Sequence, residues 1–141
     1  MKNFIAGQRP LNTDFAILLL RLLFGILFIW HGYQKIDAYN QYVGMFPDLI
    51  GLGGKLSFQL VIFAEFGCGI LVTLGLLTRL SVIPILFTMC IAYFVAHKAD
   101  GFEKKELVFV FLVLSVIIFI FGSGKYSLDA ILFKNKTNKY A

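Results

Sequence analysis

Two ionisable residues lie inside long apolar runs, and they are the residues of this sequence best suited to chemistry. Arg21 stands within the first run and Glu65 within the second. A charge near the centre of a bilayer costs about 2.5 to 3.5 kcal/mol on insertion scales, so a charged side chain in a membrane helix faces its neighbours and finds polar partners. We therefore expect both residues to point into a helix bundle.

Helix geometry predicts that Arg21 and Glu65 form an ion pair. Arg21 lies about 12 residues before Tyr33, and Glu65 about nine residues after Leu56. At about 1.5 Å of rise per residue their depths differ by roughly 4 to 5 Å, which an arginine side chain can span. Such a pair could hold a carboxylate that exchanges protons, or it could do no more than fix the register of two helices. Both interpretations stay open.

Further polar residues extend this position toward one side of the membrane. His31 and Lys35 follow Arg21 by ten and fourteen residues, rotations of about 80° and 40° that keep them on its helix face. His97 ends the third apolar run and Glu106 begins the fourth, on the same side. The predicted polar intramembrane site consists of Arg21, His31, Lys35, Glu65, His97 and Glu106. For each residue alone, a plain interfacial position is the simpler interpretation, and no catalytic role is assigned.

The composition requires lipid around these residues. The chain has 141 residues, of which 59% are hydrophobic and 15% charged, and its mean hydropathy is +0.82. A soluble domain of this length needs a polar shell, so one membrane domain over residues 1–141 is predicted. The net charge of +5 does not indicate nucleic-acid binding, because the lysines flank apolar segments and read as topological charges.

Four apolar segments predict an all-α membrane protein, a bundle of four transmembrane helices. They cover about residues 15–33, 56–77, 80–96 and 107–121, each near the length that spans a bilayer. The runs are continuous and lack the alternation of barrel strands. The first run contains Arg21 and has no small-residue cleavage site, so it is expected to be a helix of the bundle rather than a signal peptide.

The connecting segments have distinct characters. Residues 34–55 begin polar and become apolar and glycine-rich, so this loop should lie in the interface or fold back on the bundle. Gly75 can end the second helix and Thr78 can cap the third, which makes these two helices an antiparallel hairpin. The polar segment 97–106 is predicted to be a solvated loop.

Positive charges set the predicted orientation. With four spans, both termini and the short turn after Gly75 share one side, which carries seven basic residues against five on the other. The seven are Lys2, Arg9, Arg79, Lys125, Lys134, Lys136 and Lys139. Both termini are therefore expected in the cytoplasm.

Several local patterns carry less information. Gly122-Ser123-Gly124-Lys125 lacks the other residues of a phosphate-binding loop and is expected to stop a helix, with Ser127 capping a short interfacial helix that ends near Phe133. Cys68 and Cys90 lie in apolar stretches and are expected to be small core residues. His31 and His97 lack the spacing of metal ligands, so no metal is predicted.

The order of these motifs resembles the DoxX family. The resemblance rests on Leu19-Leu20-Arg21, Trp30-His31-Gly32-Tyr33-Gln34-Lys35, Glu65-Phe66-Gly67-Cys68-Gly69, Leu74-Gly75-Leu76-Leu77-Thr78-Arg79 and Ser127-Leu128-Asp129. It covers nearly the whole chain, and Ser123 is a departure, since members often have Pro or Ala between the two glycines. The resemblance implies a four-helix, multi-pass protein of the bacterial inner membrane, of a family linked to quinone oxidoreductase subunits and oxidative-stress complexes. Its recurring polar positions match Arg21, His31, Lys35, Glu65, Arg79 and His97.

Two functions follow as hypotheses. In the first, the chain is a redox-associated subunit that binds a quinone in the bundle, with Glu65 and His31 exchanging protons and Arg21 holding Glu65 ionised. No heme, flavin or iron–sulfur motif is evident, so electrons would come from a partner in a larger complex, and whether the chain is itself an enzyme stays open. In the second, it is a non-enzymatic scaffold or accessory subunit whose small residues permit close contacts within the bundle, in a homo-oligomer or with a larger partner. Those residues are Gly25, Gly32, Gly67 and Gly69. A small transporter is disfavoured, because four helices would have to dimerise and no internal repeat is evident.

Overall fold

The computed structural model describes Gly7 and residues 9–137, with side chains described as far as Phe133. This part of the chain is all-helical and has no strand. Its helices are α1 (Thr13–Asp37), α2 (Tyr39–Tyr42), α3 (Gly54–Leu74), α4 (Thr78–Ala96), α5 (Phe102–Phe121) and α6 (Leu128–Thr137). Two stretches are π-helical, Phe63–Gly67 within α3 and Ala92–Ala96 at the end of α4.

Three of these helices are long and apolar enough to cross a membrane, namely α1, α3 and α4. The chain is thus a membrane protein with several apolar helices. The helix α5 has 20 residues and begins at Phe102, so the prediction of a loop over 97–106 is wrong for its last five residues. Its first turns contain the charged sequence Glu103-Lys104-Lys105-Glu106, and its apolar stretch starts only at Leu107. Each long helix corresponds to one apolar segment of the sequence, but α1 continues past Tyr33 to Asp37 and α3 ends at Leu74, before the predicted end at Leu77.

The long helices enclose one apolar core. α1 packs on α3, α3 on α4, α4 on α5, and α5 returns to α1. Phe28 is 1% exposed, with ring centroids 4.6 Å from Phe24 and 4.8 Å from Phe111 of α5. Cys68 belongs to this core, as expected for a small apolar residue.

Glycines set the register between α1 and α3. A Cβ on Gly32 would lie 2.6 Å from the backbone nitrogen of Phe66, and one on Gly25 would overlap Thr73. The two backbones therefore touch at these levels, as small residues permit in membrane helices. The contact places Phe66 beside Gly32 and Thr73 beside Gly25.

The turn between α3 and α4 has the predicted stop but a different cap. Gly75 ends α3 in the left-handed conformation, with φ +71, as the sequence predicts. The prediction that Thr78 caps α4 is wrong. Both carboxylate oxygens of Asp129 do this instead, accepting from the amides of Leu77 at 2.8 Å and Thr78 at 3.2 Å, so a residue distant in sequence satisfies the first donors of α4.

The two ends of the helices differ in their connections. The termini end carries the start of α1, the turn after Gly75 and α6, which Ser127 caps by accepting from the amide of Ala130 at 3.2 Å, as predicted. α6 continues beyond the predicted end at Phe133, to Thr137. Of the basic residues assigned to this end from the sequence, Lys2 and Lys139 lie outside the described residues.

The loop end carries the other two connections, residues 38–53 and 97–101. The first folds back on the start of α3, where the ring of Phe58 lies 5.0 Å from Phe46 and 5.6 Å from Tyr39. Gln59 also donates to the hydroxyl of Tyr39 at 3.0 Å. The first turns of α3 therefore lie beside this connection.

Candidate functional site

Glu65 forms an ion pair with Lys35 at the loop end. The Nζ of Lys35 donates to Oε2 of Glu65 at 2.6 Å, and the two side chains are 30% and 7% exposed. Glu65 lies in the π-helical stretch of α3, and such stretches are frequent at functional sites because the extra residue changes the direction of side chains. Its charge is thus compensated by an amine that still reaches the surface.

The predicted Arg21–Glu65 pair is wrong. Arg21 lies at the termini end, where its Nη2 donates to the carbonyl of Tyr126 at 2.6 Å. Counting from the ends of the apolar runs puts Tyr33 and Leu56 at one depth, but the close approach of Gly32 to Phe66 sets Leu56 well beyond the level of Tyr33. Glu65 is therefore level with the last turns of α1, where Lys35 lies.

A pocket of about 630 Å³ opens beside the ion pair. Lys35 and His31 contribute to its wall, and the Lys35 amine thus joins the pocket to the Glu65 carboxylate. The remaining wall is polar on the side of α1 and apolar along residues 42–47 and α3. It is formed by Gln34, Asp37, Ala38, Tyr42, Met45, Phe46, Pro47 and Phe58. A volume within the roughly 300 to 1,000 Å³ of small-molecule sites, with apolar walls and a few charged groups, suits a flat, partly polar ligand.

His31 lines this pocket. Its ring stands edge-on to the core residue Phe111, with centroids 6.0 Å apart, and the side chain is half-buried. The imidazole thus contacts the core while the residue borders the pocket. His31 and Lys35 share one face of α1, as the helical spacing predicts.

His97 and Glu106, the other two residues of the predicted site, do not join it. The Nδ1 of His97 lies 2.8 Å from Oδ2 of Asp100 in its own loop. Glu106 is exposed on α5. The π-helical end of α4 carries His97 into the short connection 97–101, so the predicted set of six resolves into a group of three, His31, Lys35 and Glu65, and three separate residues.

Asp100 is held as a carboxylate by its surroundings. The hydrogen bond with His97 lowers the pKa of Asp100 most, and Lys104 and Lys105 lower it further, while burial acts in the opposite direction. This pair orders the connection between α4 and α5 at the solvent-facing surface, and it lies outside the helices that cross the bilayer.

The second polar cluster surrounds Arg21 at the termini end. The side chain is 1% exposed, it touches Gly75 at the end of α3, and the carboxylate of Asp129 attracts it. The carbonyl end of a helix favours a cation. Nε and Nη1 make no hydrogen bond within the described residues. Backbone groups and a neighbouring charge therefore hold this arginine, and it has no contact with the pocket at the loop end.

Several residues of these clusters were not singled out as site residues from the sequence. Tyr126 contributes only a carbonyl, which no side-chain pattern reveals. Asp129 belongs to the Ser127-Leu128-Asp129 motif, yet its role requires knowing that α6 returns to the start of α4. Tyr42 and Phe46 lie in the apolar loop that the sequence predicts to fold back on the bundle. That prediction is the only sequence signal for their place in the pocket wall.

Comparison with known proteins identifies relatives of this chain. The DoxX family model matches residues 16–98. The chain is 31% identical to the Bacillus subtilis protein named "Putative oxidoreductase CatD", over 91% of this chain and 96% of that protein. It is 35% identical to "Inner membrane protein YqjF" of Escherichia coli, over 86% and 95%. It is 30% identical to "Uncharacterized membrane protein Rv3486" of Mycobacterium tuberculosis, over 86% and 84%. No solved structure matches the chain at a significant level.

Proposed function

The chain belongs to the DoxX family of membrane proteins, and from this premise we propose that it is a redox-associated subunit that binds a quinone in the pocket at the loop end. The observation that carries the proposal is the Lys35–Glu65 pair, which connects a buried carboxylate to the wall of an aromatic-lined pocket. The name of the Bacillus subtilis relative supports a link to oxidoreduction.

The residues of the pocket fit a quinone headgroup. Phe46 and Tyr42 offer flat apolar surfaces, and Lys35 and His31 place polar groups beside them. In this proposal the Lys35 amine donates a hydrogen bond to a quinone oxygen, and His31 serves the other oxygen or exchanges its proton. A bound quinone supplies two-electron redox chemistry, and the electrons come from a partner protein.

Glu65 is assigned a proton-exchanging role through Lys35. The carboxylate is 7% exposed, so its route to the pocket runs along the amine that it contacts. Arg21 has no part in this proposal, because its guanidinium is held at the other end of the helices.

A membrane topology accompanies the proposed function. We propose four spans, with α5 crossing the inner membrane along its apolar residues from Leu107, and both termini in the cytoplasm. The packing of α5 against α4 and α1 supports the fourth span. Arg79 and Lys125 at the termini end support the orientation. The pocket would then face the periplasmic side.

Titration of the purified protein in detergent with a short-chain benzoquinone tests the assignment. Lys35→Met and His31→Gln should each weaken binding about tenfold, as expected for hydrogen bonds in which a charged group takes part. His97→Gln is the matched control, because His97 lies at the same end but pairs with Asp100. Equal binding by His31→Gln and the original protein, with normal folding, would refute the pocket as the quinone site.

A scaffold without redox chemistry is the alternative function. Gly25, Gly32 and Gly69 are used inside the chain, between α1 and α3, so these glycines argue less for contact with a partner than for internal packing. Purification in mild detergent with mass spectrometry separates the two functions. A stoichiometric oxidoreductase partner whose activity survives Glu65→Gln would favour the scaffold, and co-purifying quinone that this substitution removes would favour the redox subunit.

A further inference from the structure

A second and larger groove lies at the termini end, far from the proposed quinone pocket. It encloses about 910 Å³ where the start of α4, the end of α5 and the helix α6 meet. Since α4 is long and apolar enough to cross the bilayer, its first residues lie at the level of lipid headgroups. The lining combines two basic side chains with large apolar ones.

The basic side chains are Arg79 and Lys125. The guanidinium of Arg79 is oriented by two bonds, from Nε to the carbonyl of Phe119 and from Nη2 to that of Ile120, both at 3.1 Å. Gly122 lies beside this guanidinium, and its φ of +76 favours glycine there. Nη1 takes part in neither of these two bonds. The bonds fix the plane of the guanidinium, a group that binds phosphate oxygens well.

The acidic residue of the groove is already engaged. The carboxylate of Asp129 accepts from two amides at the start of α4 and attracts buried Arg21. The two basic side chains, Arg79 and Lys125, therefore make the groove positively charged. Thr78 also lines it but is 1% exposed, so it contributes little surface to a ligand.

Apolar side chains border the charged part of the groove. Leu80 is 63% exposed, Phe121 53%, Ile131 72% and Phe133 47%. Together they form a surface on α4, α5 and α6 beside the basic groups, a surface that suits hydrocarbon rather than water. A free anion would use the basic groups alone, whereas a lipid with a phosphate headgroup and acyl chains matches both parts.

We propose that this groove binds one anionic phospholipid. Arg79 and Lys125 contact the phosphate, and the acyl chains lie along Leu80, Phe121 and the apolar side of α6. The lipid would hold α6 against the ends of α4 and α5. The proposal does not depend on the pocket at the loop end or on a redox function.

Native mass spectrometry of the full chain in mild detergent tests this site. Phosphatidylglycerol, phosphatidylcholine and inorganic phosphate are added separately. We expect selective retention of one phosphatidylglycerol. Each basic side chain near a membrane surface contributes about 1 kcal/mol toward anionic lipid, so Lys125→Gln should weaken retention roughly fivefold and the double variant Arg79→Gln/Lys125→Gln about thirtyfold.

The variants are chosen so that a folding defect does not imitate lost binding. Arg79 also bonds the end of α5, and its replacement can destabilise the protein. Lys125→Gln keeps the backbone amide that donates to Asp14 at 3.1 Å, so this variant retains the local structure. Lys55→Gln/Lys98→Gln removes two exposed charges from the loop end and should leave retention unchanged.

Four results would overturn the proposal. They are equal retention of phosphatidylcholine, binding of inorganic phosphate as tight as that of the lipid, unchanged affinity in Lys125→Gln, and an equal loss in the loop-end control. The second would identify a plain anion site, and the last a nonspecific effect of net charge.

Discussion

The two ends of the helix assembly each hold a charge that enters an apolar helix, yet they satisfy it in different ways. At the loop end, Glu65 meets a partly exposed amine that also borders a pocket. At the termini end, Arg21 meets a backbone carbonyl, the end of α3 and the nearby charge of Asp129. A charge held by backbone groups is fixed by the fold, whereas a charge held by a partly exposed side chain can exchange its partner.

This difference separates structure from chemistry among residues of similar type. Arg21 joins the first helix to the segment before α6, 105 residues later in the chain, and its role is to close the termini end. The Lys35–Glu65 pair joins two neighbouring helices beside a cavity. An intramembrane charge is therefore a candidate for function when its partner can reach a ligand, as for Glu65, and a candidate for structure when it cannot.

The largest effect should come from adding one methyl group at the termini end. Gly75 has φ +71, and a Cβ there would overlap the Arg21 guanidinium and lie 2.5 Å from Cβ of Ser127. Gly75→Ala should lower the free energy of unfolding by about 3 kcal/mol, from backbone strain and crowding together. Gly51, with φ +78 and open space around it, is the matched control at the loop end. There, Gly51→Ala should cost about 1 kcal/mol, and equal losses in denaturant unfolding would contradict the crowded contact.

Double-mutant cycles should sharpen the contrast between the two charges. Lys35→Met leaves Glu65 nearly buried without its partner, which is costly, while Glu65→Gln removes that charge. The coupling free energy between these substitutions should be about 2 kcal/mol. Arg21→Met and Glu65→Gln should be additive within about 0.5 kcal/mol, since the two residues do not touch. Strong coupling in the second cycle would instead support the Arg21–Glu65 ion pair that the sequence predicts.

The sequence contained most of the elements but not their register. Continuous apolar runs predicted α1, α3 and α4, and Gly75 predicted the stop between α3 and α4. The depth of Glu65 depended on where α1 and α3 touch, and that is set by close backbone contacts at Gly25 and Gly32. Counting from the ends of the apolar runs could not find these contacts. The first turns of α3 lie beside the loop that follows α1, so the start of α3 is not level with the end of the apolar run in α1.

The candidate site was predicted in part, for a similar reason. His31 and Lys35 share a helix face, a local property that the period of 3.6 residues reveals. The assignments of Arg21 and Glu106 required contacts between distant segments. His97 instead pairs with Asp100, three residues away in its own loop, and its side of the membrane does not reveal this local contact.

The carboxylate of Asp129 should matter more than a comparable loop carboxylate. Asp129→Asn removes the charge that caps α4 and attracts Arg21, and a loss of about 1 to 2 kcal/mol in unfolding free energy is expected. Asp48 at the loop end accepts from the amide of Gly51 at 2.8 Å and is exposed. Asp48→Asn should therefore change stability by a few tenths of a kcal/mol, about the size of ordinary surface substitutions. A smaller loss for Asp129→Asn than for Asp48→Asn would show that the termini end does not depend on this charge.

The smallest effect should be a pH dependence confined to the connection between α4 and α5. His97, Lys104 and Lys105 lower the pKa of Asp100 in the folded protein. The folded state then binds fewer protons than the unfolded state near the ordinary pKa of aspartate, so this group stabilises the fold above that value. Its contribution is lost as the pH falls through the lowered pKa. Unfolding midpoints measured across the acid range should fall less steeply in Asp100→Asn than in the original protein. The His97–Asp100 pair lies away from both Glu65 and Arg21, so Asp100→Asn should leave the coupling free energy between Lys35 and Glu65 unchanged. A changed coupling would show that the connection between α4 and α5 interacts with the loop-end site.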